Sequence, residues 1–189
     1  MLIQTDFVLD AKGLACPMPI VKTRKTMKDL EPGKVLEVVA NDKGSTADIK
    51  AWAESAGHHY LGTTEEDDVL KHYLRKSSGE EKAETKHPYI ASHNDLQVVL
   101  DEGKEVIVLD VREAAEYAFS HVPGAQSLPL GVLGQGFEEI DKEAQIYVVC
   151  RTGNRSDTAA QKLATAGFNN VRNVIPGMSE WKGATEKSL

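Results

Sequence analysis

Two regions with regular apolar periodicity flank a short stretch that has none. In the first, apolar and polar positions predict a strand over about 5–10, a helix over 17–29 and a strand over 33–40. A helix over 46–56 and two strands near 58–64 and 69–75 follow. Gly33 precedes the strand KVLEVVA, Ser45 or Thr46 can cap the helix ADIKAWAES, and Gly57 suits its C-terminal stop. The acidic stretch EEDD at 65–68 reads as the turn between the last two strands. Together these elements make a compact βαβαββ unit spanning residues 1–75.

Residues 76–86, KSSGEEKAETK, carry no large apolar side chain and read as a flexible linker. A chain of that length has a root-mean-square span of about 18 Å. Beyond it, ASHNDLQVVLDEGK predicts a short helix with Ser92 as cap, Asp95 three positions on and Gly103 as stop. The continuous apolar centre of EVIVLDV suits a parallel strand covered on both faces. A helix near 113–119, a turn at HVPGA, the apolar strand QIYVVC, a helix from about 155 to 166 and the strand VRNVI continue the alternation. Residues 87–189 therefore read as an α/β domain with a central parallel sheet. No repeat relates the halves, so they are two different domains.

Composition narrows the setting. At 189 residues, with 41% hydrophobic and 27% charged residues, the chain is ordinary for a soluble globular protein. No apolar run approaches the ~20 residues of a membrane-spanning helix. A net charge of −7 argues against nonspecific binding to nucleic acid or anionic membranes. The first domain is nearly neutral, ten basic groups against twelve acidic, while the second has nine against fourteen. Lys22, Arg24, Lys25 and Lys28 form a basic cluster, either a solvated helix face or a docking surface for a protein partner. The start MLIQTDFVLD lacks the basic and apolar segments of a secretory signal, which points to the cytoplasm. In that reducing compartment two cysteines are expected as free thiols. Neither they nor the six histidines show metal-ligand spacing, so no metal is expected.

The two cysteines carry the candidate chemistry. Cys150 ends an apolar strand and precedes a helix, the position at which doubly wound α/β folds bind ligands. The turn Arg151, Thr152, Gly153, Asn154, Arg155 and Ser156 can aim amide N–H groups at the sulfur, and the helix dipole and both arginines add positive potential. Such surroundings favour a thiolate. Gly153 permits the backbone angles of a tight loop. A cysteine phosphatase needs five residues between cysteine and arginine to enclose a tetrahedral phosphate, and here Cys150 and Arg155 are separated by four. A ring of that size fits one additional sulfur atom, a persulfide, better than a phosphoryl group.

The loop CRTGNR resembles the active loop of the single-domain rhodanese family. VLDVRE at 108–113, HVPGAQSLPL at 121–130 and PGMSEW at 176–181 are similar to that family's other motifs, in the same order. The resemblance implies that Cys150 accepts sulfur and that Arg151 to Ser156 cradle the persulfide. It also implies that Asp110, Arg112 and Trp181 hold the fold. Pro176 stands where a glycine is usual, which alters a local turn.

Cys16 is followed by Pro17, which suits a helix start, and Pro19 lies in the first turn. Physics leaves this cysteine open between a structural cap and a thiolate favoured by the helix dipole. LDAKGLACPMPIVKT resembles the signature of the TusA/SirA sulfur-carrier family, with Asp10, Gly13, Leu14, Cys16, Pro17 and Pro19 in place. The resemblance implies a two-layer sandwich and a persulfide-carrying Cys16 that hands sulfur to a partner. His58, His59 and His72 receive no role and are expected at the surface or packed on the sheet.

The two resemblances together imply a sulfurtransferase. Sulfane sulfur from thiosulfate, a persulfide or a polysulfide would load Cys150, pass to Cys16 and leave for an acceptor, with a sulfur-trafficking protein as partner. A homodimer stays open, as does the route within or between chains. Two alternatives remain: a rhodanese enzyme with a non-catalytic N-terminal adaptor, and an arsenate reductase or phosphatase on the same scaffold.

Overall fold

In the computed structural model, which describes residues 3–79 and 86–189, the first alternation becomes six elements. These are β1 (Phe7–Asp10), α1 (Met18–Asp29), β2 (Val35–Ala40), α2 (Ser45–Ser55), β3 (His59–Glu66) and β4 (Val69–Arg75). The sheet order is β1-β2-β4-β3. β1 and β2, joined through a helix, pair in parallel, while β4 pairs antiparallel with both neighbours.

Periodicity explains which side chains meet. α1 buries Pro19, Thr23 and Met27, and α2 buries Ser45, Ile49 and Ala53, each set four residues apart on one stripe. Met27, Ile49 and Ala53 join Leu36, Val38 and Leu74 of the sheet in one core. Leu70, His72 and Leu74 share one face of β4, so the strand that buries the leucines also buries His72.

Two expectations are corrected here and one alternative is decided. Ser45 and Thr46 do not cap α2, because the helix already contains them and Gly44 is the cap. The Ser45 hydroxyl instead donates to Asp42 O and meets His72 Nε2 at 2.9 Å. Of the two places expected for His72, it takes the one packed on the sheet, where it is fully buried and hydrogen-bonded. The turn at EEDD is shorter than its composition suggests. Glu65 and Glu66 extend β3, and Asp67 and Asp68 alone reverse the chain, both with positive φ as a tight hairpin requires. Lys22, Arg24, Lys25 and Lys28 lie exposed on α1.

The second alternation becomes β5 (Ile90–Ala91), α3 (His93–Asp101), β6 (Ile107–Asp110), α4 (Ala114–Phe119), β7 (Gln126–Ser127), α5 (Leu133–Gly136), β8 (Ile146–Val149), α6 (Asn154–Thr165) and β9 (Val171–Val174). The strands order as β5-β9-β8-β6-β7, with every pair parallel. All four residues of β8 are buried. Its alternate positions feed two cores: Ile146 and Val148 pack with Ala159, Ala160 and Leu163, and Tyr147 and Val149 pack with Leu96, Val99 and Val122. The predicted capping box of Ser92 and Asp95 forms at α3. β5, β7 and α5 are too short to produce a periodic signal.

The chain divides into two units between residues 79 and 80. Residues 80–85 of the expected linker lie outside the described residues. No helix among the described residues is long and apolar enough to cross a membrane.

Candidate active site

Cys150 continues the alternation of Ile146 and Val148 one step past β8, which turns its side chain inward to 1% exposure. The chain then reverses within three residues to enter α6. Gly153 makes that reversal at φ 107°, and a Cβ there would lie 2.7 Å from Ile175 Cγ2, so glycine is required twice over. The Gly153 N–H donates to Cys150 Sγ at 3.1 Å. Ser156 opens the buried stripe of α6 that continues with Ala159, Ala160 and Leu163, and its Oγ lies 3.2 Å from the same sulfur. A backbone donor, a hydroxyl and a helix N-terminus thus face one sulfur, an arrangement able to hold negative charge on it.

The second arginine departs from expectation. Arg155 forms a two-pronged pair with Glu116, at 2.8 and 3.0 Å, and Glu113 lies 3.8 Å away. Burial works against the Arg155 charge, but the Glu116 hydrogen bonds and charge more than offset this and hold its pKa above the ordinary value. The positive potential that Arg155 adds at the sulfur is therefore partly cancelled by α4, whose contribution no residue of the loop announces. Arg151, Thr152 and Asn154 are half-buried along the turn.

A second loop holds the first from behind. Met178 N donates to Cys150 O at 2.8 Å and Ser179 N to Arg151 O at 2.9 Å. Gly177 permits this approach, since a Cβ there would fall 2.7 Å from Cys150 O. His93 Nε2 donates to Gly177 O at 2.9 Å, and its ring meets Trp181 edge-on. The peptide bond before Pro176, the departure noted in this segment, is cis. Asp110 and Arg112, both buried, form a two-pronged pair at the end of β6, and Arg112 also donates to Ser120 O. Asn173 on β9 is fully buried, accepts from Ser156 Oγ at 2.6 Å and donates to Gly153 O at 3.1 Å. Its signal in the sequence is a polar residue inside the apolar run VRNVI, two places from Val171.

Cys16 belongs to the other unit and is exposed. It stands just before Pro17, the cap residue of α1, with Pro19 in the first turn. The preceding loop is tied to the end of β2 by Gly13 N donating to Asn41 Oδ1 at 2.9 Å. At this helix start a group from α2 opposes the thiolate that the dipole favours. Cys16 Sγ donates to Asp48 Oδ2 at 3.5 Å, and that bond, with the charges of Asp48 and Asp42, holds its pKa above the ordinary thiol value. Asp48 lies 32 residues away, so no local pattern reveals it.

One buried sulfur faced by donors and one exposed thiol on a small α/β sandwich define a chain built for thiol chemistry in two domains. Residues 7–76 match the family model Sulfurtransferase TusA, and residues 92–184 match the Rhodanese-like domain. The protein YrkF of Bacillus subtilis is 49% identical over 187 residues, covering 98% of this chain and all of that protein. The chain belongs to this family of TusA domains fused to rhodanese-like domains. Its first unit is similar to the sulfur carrier protein TusA of Allochromatium vinosum, 39% identical over 72 residues, which cover 38% of this chain and 95% of that protein. Its second unit is similar in structure to a rhodanese-like domain protein from Staphylococcus aureus, with TM-score 0.50 and 28% identity over 52% of this chain and 97% of that one. These findings support sulfur transfer as the general chemistry of the chain.

Proposed function

We propose that the protein takes sulfane sulfur from a small donor onto Cys150 and relays it to Cys16, from which a partner protein accepts it. The observation that carries this reading is the convergence of the Gly153 N–H and the Ser156 hydroxyl on Cys150 Sγ at the end of a central parallel strand. With thiosulfate, the Cys150 thiolate attacks the outer sulfur, a new S–S bond forms, and sulfite leaves with the electron pair of the broken bond. The loop from Arg151 to Ser156 then surrounds the persulfide.

The contrast between the two thiols supports the direction of the relay. The Gly153 N–H and the Ser156 hydroxyl stabilise the charge that forms on Cys150 as it leaves, while the Cys16 S–H donates a hydrogen bond to the Asp48 carboxylate, which holds its pKa above the ordinary thiol value. In thiol exchange the more basic thiolate is the stronger nucleophile and the less basic one the faster leaving group. Cys16 thiolate therefore attacks the terminal sulfur of the protonated Cys150 persulfide, and Cys150 leaves as thiolate. We place this chemistry in the cytoplasm, where reducing conditions keep both thiols free.

The assay is sulfur transfer from thiosulfate to cyanide. Cys150→Ser abolishes it, and Cys16→Ser retains most of it. Equal loss in both variants contradicts the assignment.

A further inference from the structure

The hydroxyl proton of Ser156 has two acceptors within reach. Its Oγ lies 3.2 Å from Cys150 Sγ and 2.6 Å from Asn173 Oδ1. The orientation of the Asn173 amide is fixed by chemistry. The group 3.1 Å from its other end is the Gly153 carbonyl, which only accepts, so Nδ2 faces Gly153 and Oδ1 faces Ser156. A serine hydroxyl carries one proton and cannot make a full hydrogen bond to Asn173 and to sulfur at once.

We propose that Asn173 is a positioning residue that competes with the Cys150 sulfur for the Ser156 proton, so that the hydroxyl turns according to the charge on the sulfur. When Cys150 is a thiol, its S–H donates to Ser156 Oγ and the hydroxyl donates to Asn173 Oδ1. Once the sulfur loses its proton, the hydroxyl turns to it, and Oδ1 gives up that donor inside the core, which is costly for a buried acceptor. When Cys150 bonds to a second sulfur, it becomes a neutral and weak acceptor, and the hydroxyl returns to Asn173. Asn173 thereby withholds part of the stabilisation of the thiolate, which keeps the sulfur nucleophilic, and it favours the loaded form. This functional meaning rests on Cys150 as the sulfur acceptor. The competition for the proton does not.

Other charged groups near the sulfur are Arg151 in the loop and Arg155 with its partners Glu116 and Glu113 from α4. Asp157, next to Ser156, accepts from the amides of Lys86 and His87, and His93 holds the loop behind through Gly177 O. All of these are present in every variant of the test.

The test is alkylation of the full-length protein by iodoacetamide from about pH 5 to pH 10, read at Cys150 by peptide mass. Asn173→Leu moves the midpoint down by up to about one pH unit, because the hydroxyl is released to the thiolate. Ser156→Ala moves it up, and adding Asn173→Leu to Ser156→Ala moves it no further. A midpoint that stays or rises in Asn173→Leu, or an equal shift in both backgrounds, overturns the proposal. In case the leucine variant does not fold, the side-chain carbonyl carbon of Asn173 is followed by NMR in the unaltered protein. Its shift changes with the Cys150 midpoint, and a flat response overturns the proposal. No sulfur donor is used, so this test and the thiosulfate assay succeed or fail independently.

Discussion

At the scale of single residues, the two cysteines differ in what their sulfurs touch. Cys16 donates to a carboxylate, whereas Cys150 is faced by an N–H and a hydroxyl. Asp48→Asn replaces the charged acceptor that holds the Cys16 pKa up with a neutral amide, so it speeds alkylation of Cys16 at pH 7 severalfold, measured by peptide mass. An unchanged rate would show that Asp48 does not control the thiol. His72 gives a second prediction. Burial pushes its pKa down to about 4, while an unfolded chain protonates it near pH 6.5. The stability it permits is therefore complete above pH 6.5 and is lost progressively as pH falls toward 4, by at most about 3 kcal/mol. Denaturant unfolding of the full chain tests this. His72→Gln, which does not titrate, shows a shallower loss across that window than the unaltered protein.

At the scale of elements, the Cys150 loop depends on two glycines: Gly153 reverses the chain at positive φ against the Ile175 side chain, and Gly177 lets a second backbone approach. Gly177→Ala places a Cβ against Cys150 O and Arg151 O at a backbone angle that disfavours any side chain. It destabilises the full chain by about 1–3 kcal/mol and lowers sulfur transfer from thiosulfate to cyanide at least as much as it lowers stability. Normal activity in a folded Gly177→Ala protein would show that the loop behind Cys150 does not position it. Loop length makes a related prediction: one residue inserted between Cys150 and Arg155 weakens sulfur transfer and opens the ring toward phosphate-like oxyanions.

Most elements were legible because their signals are local. Short apolar runs gave β2 and β8, helical spacing of apolar positions gave α1 and α2, and Ser92 with Asp95 gave the start of α3. The thiol-bearing loops were legible for the same reason. What tunes them comes from elsewhere in the chain: Asp48 to Cys16, Glu116 to Arg155, and Asn173 to Ser156. Only packing brings those partners together. Of the two places open to His72, the surface or the sheet, the register of Leu70 and Leu74 on β4 selects the inward face of the sheet.

At the scale of the molecule, the chain joins a carrier-type unit to a rhodanese-type unit, and each holds one free cysteine. A relay within one chain would proceed at a rate independent of protein concentration, while exchange between chains would slow on dilution. The central claim is that sulfur reaches Cys16 by way of Cys150. The most direct measurement exposes the full-length protein briefly to isotopically labelled thiosulfate and reads persulfide at each cysteine by peptide mass. The account predicts label first on Cys150 and then on Cys16 in the unaltered protein, on Cys150 alone in Cys16→Ser, and on neither position in Cys150→Ser. Label on Cys16 in Cys150→Ser at the unaltered rate, or no label on Cys16 in the unaltered protein, would contradict it.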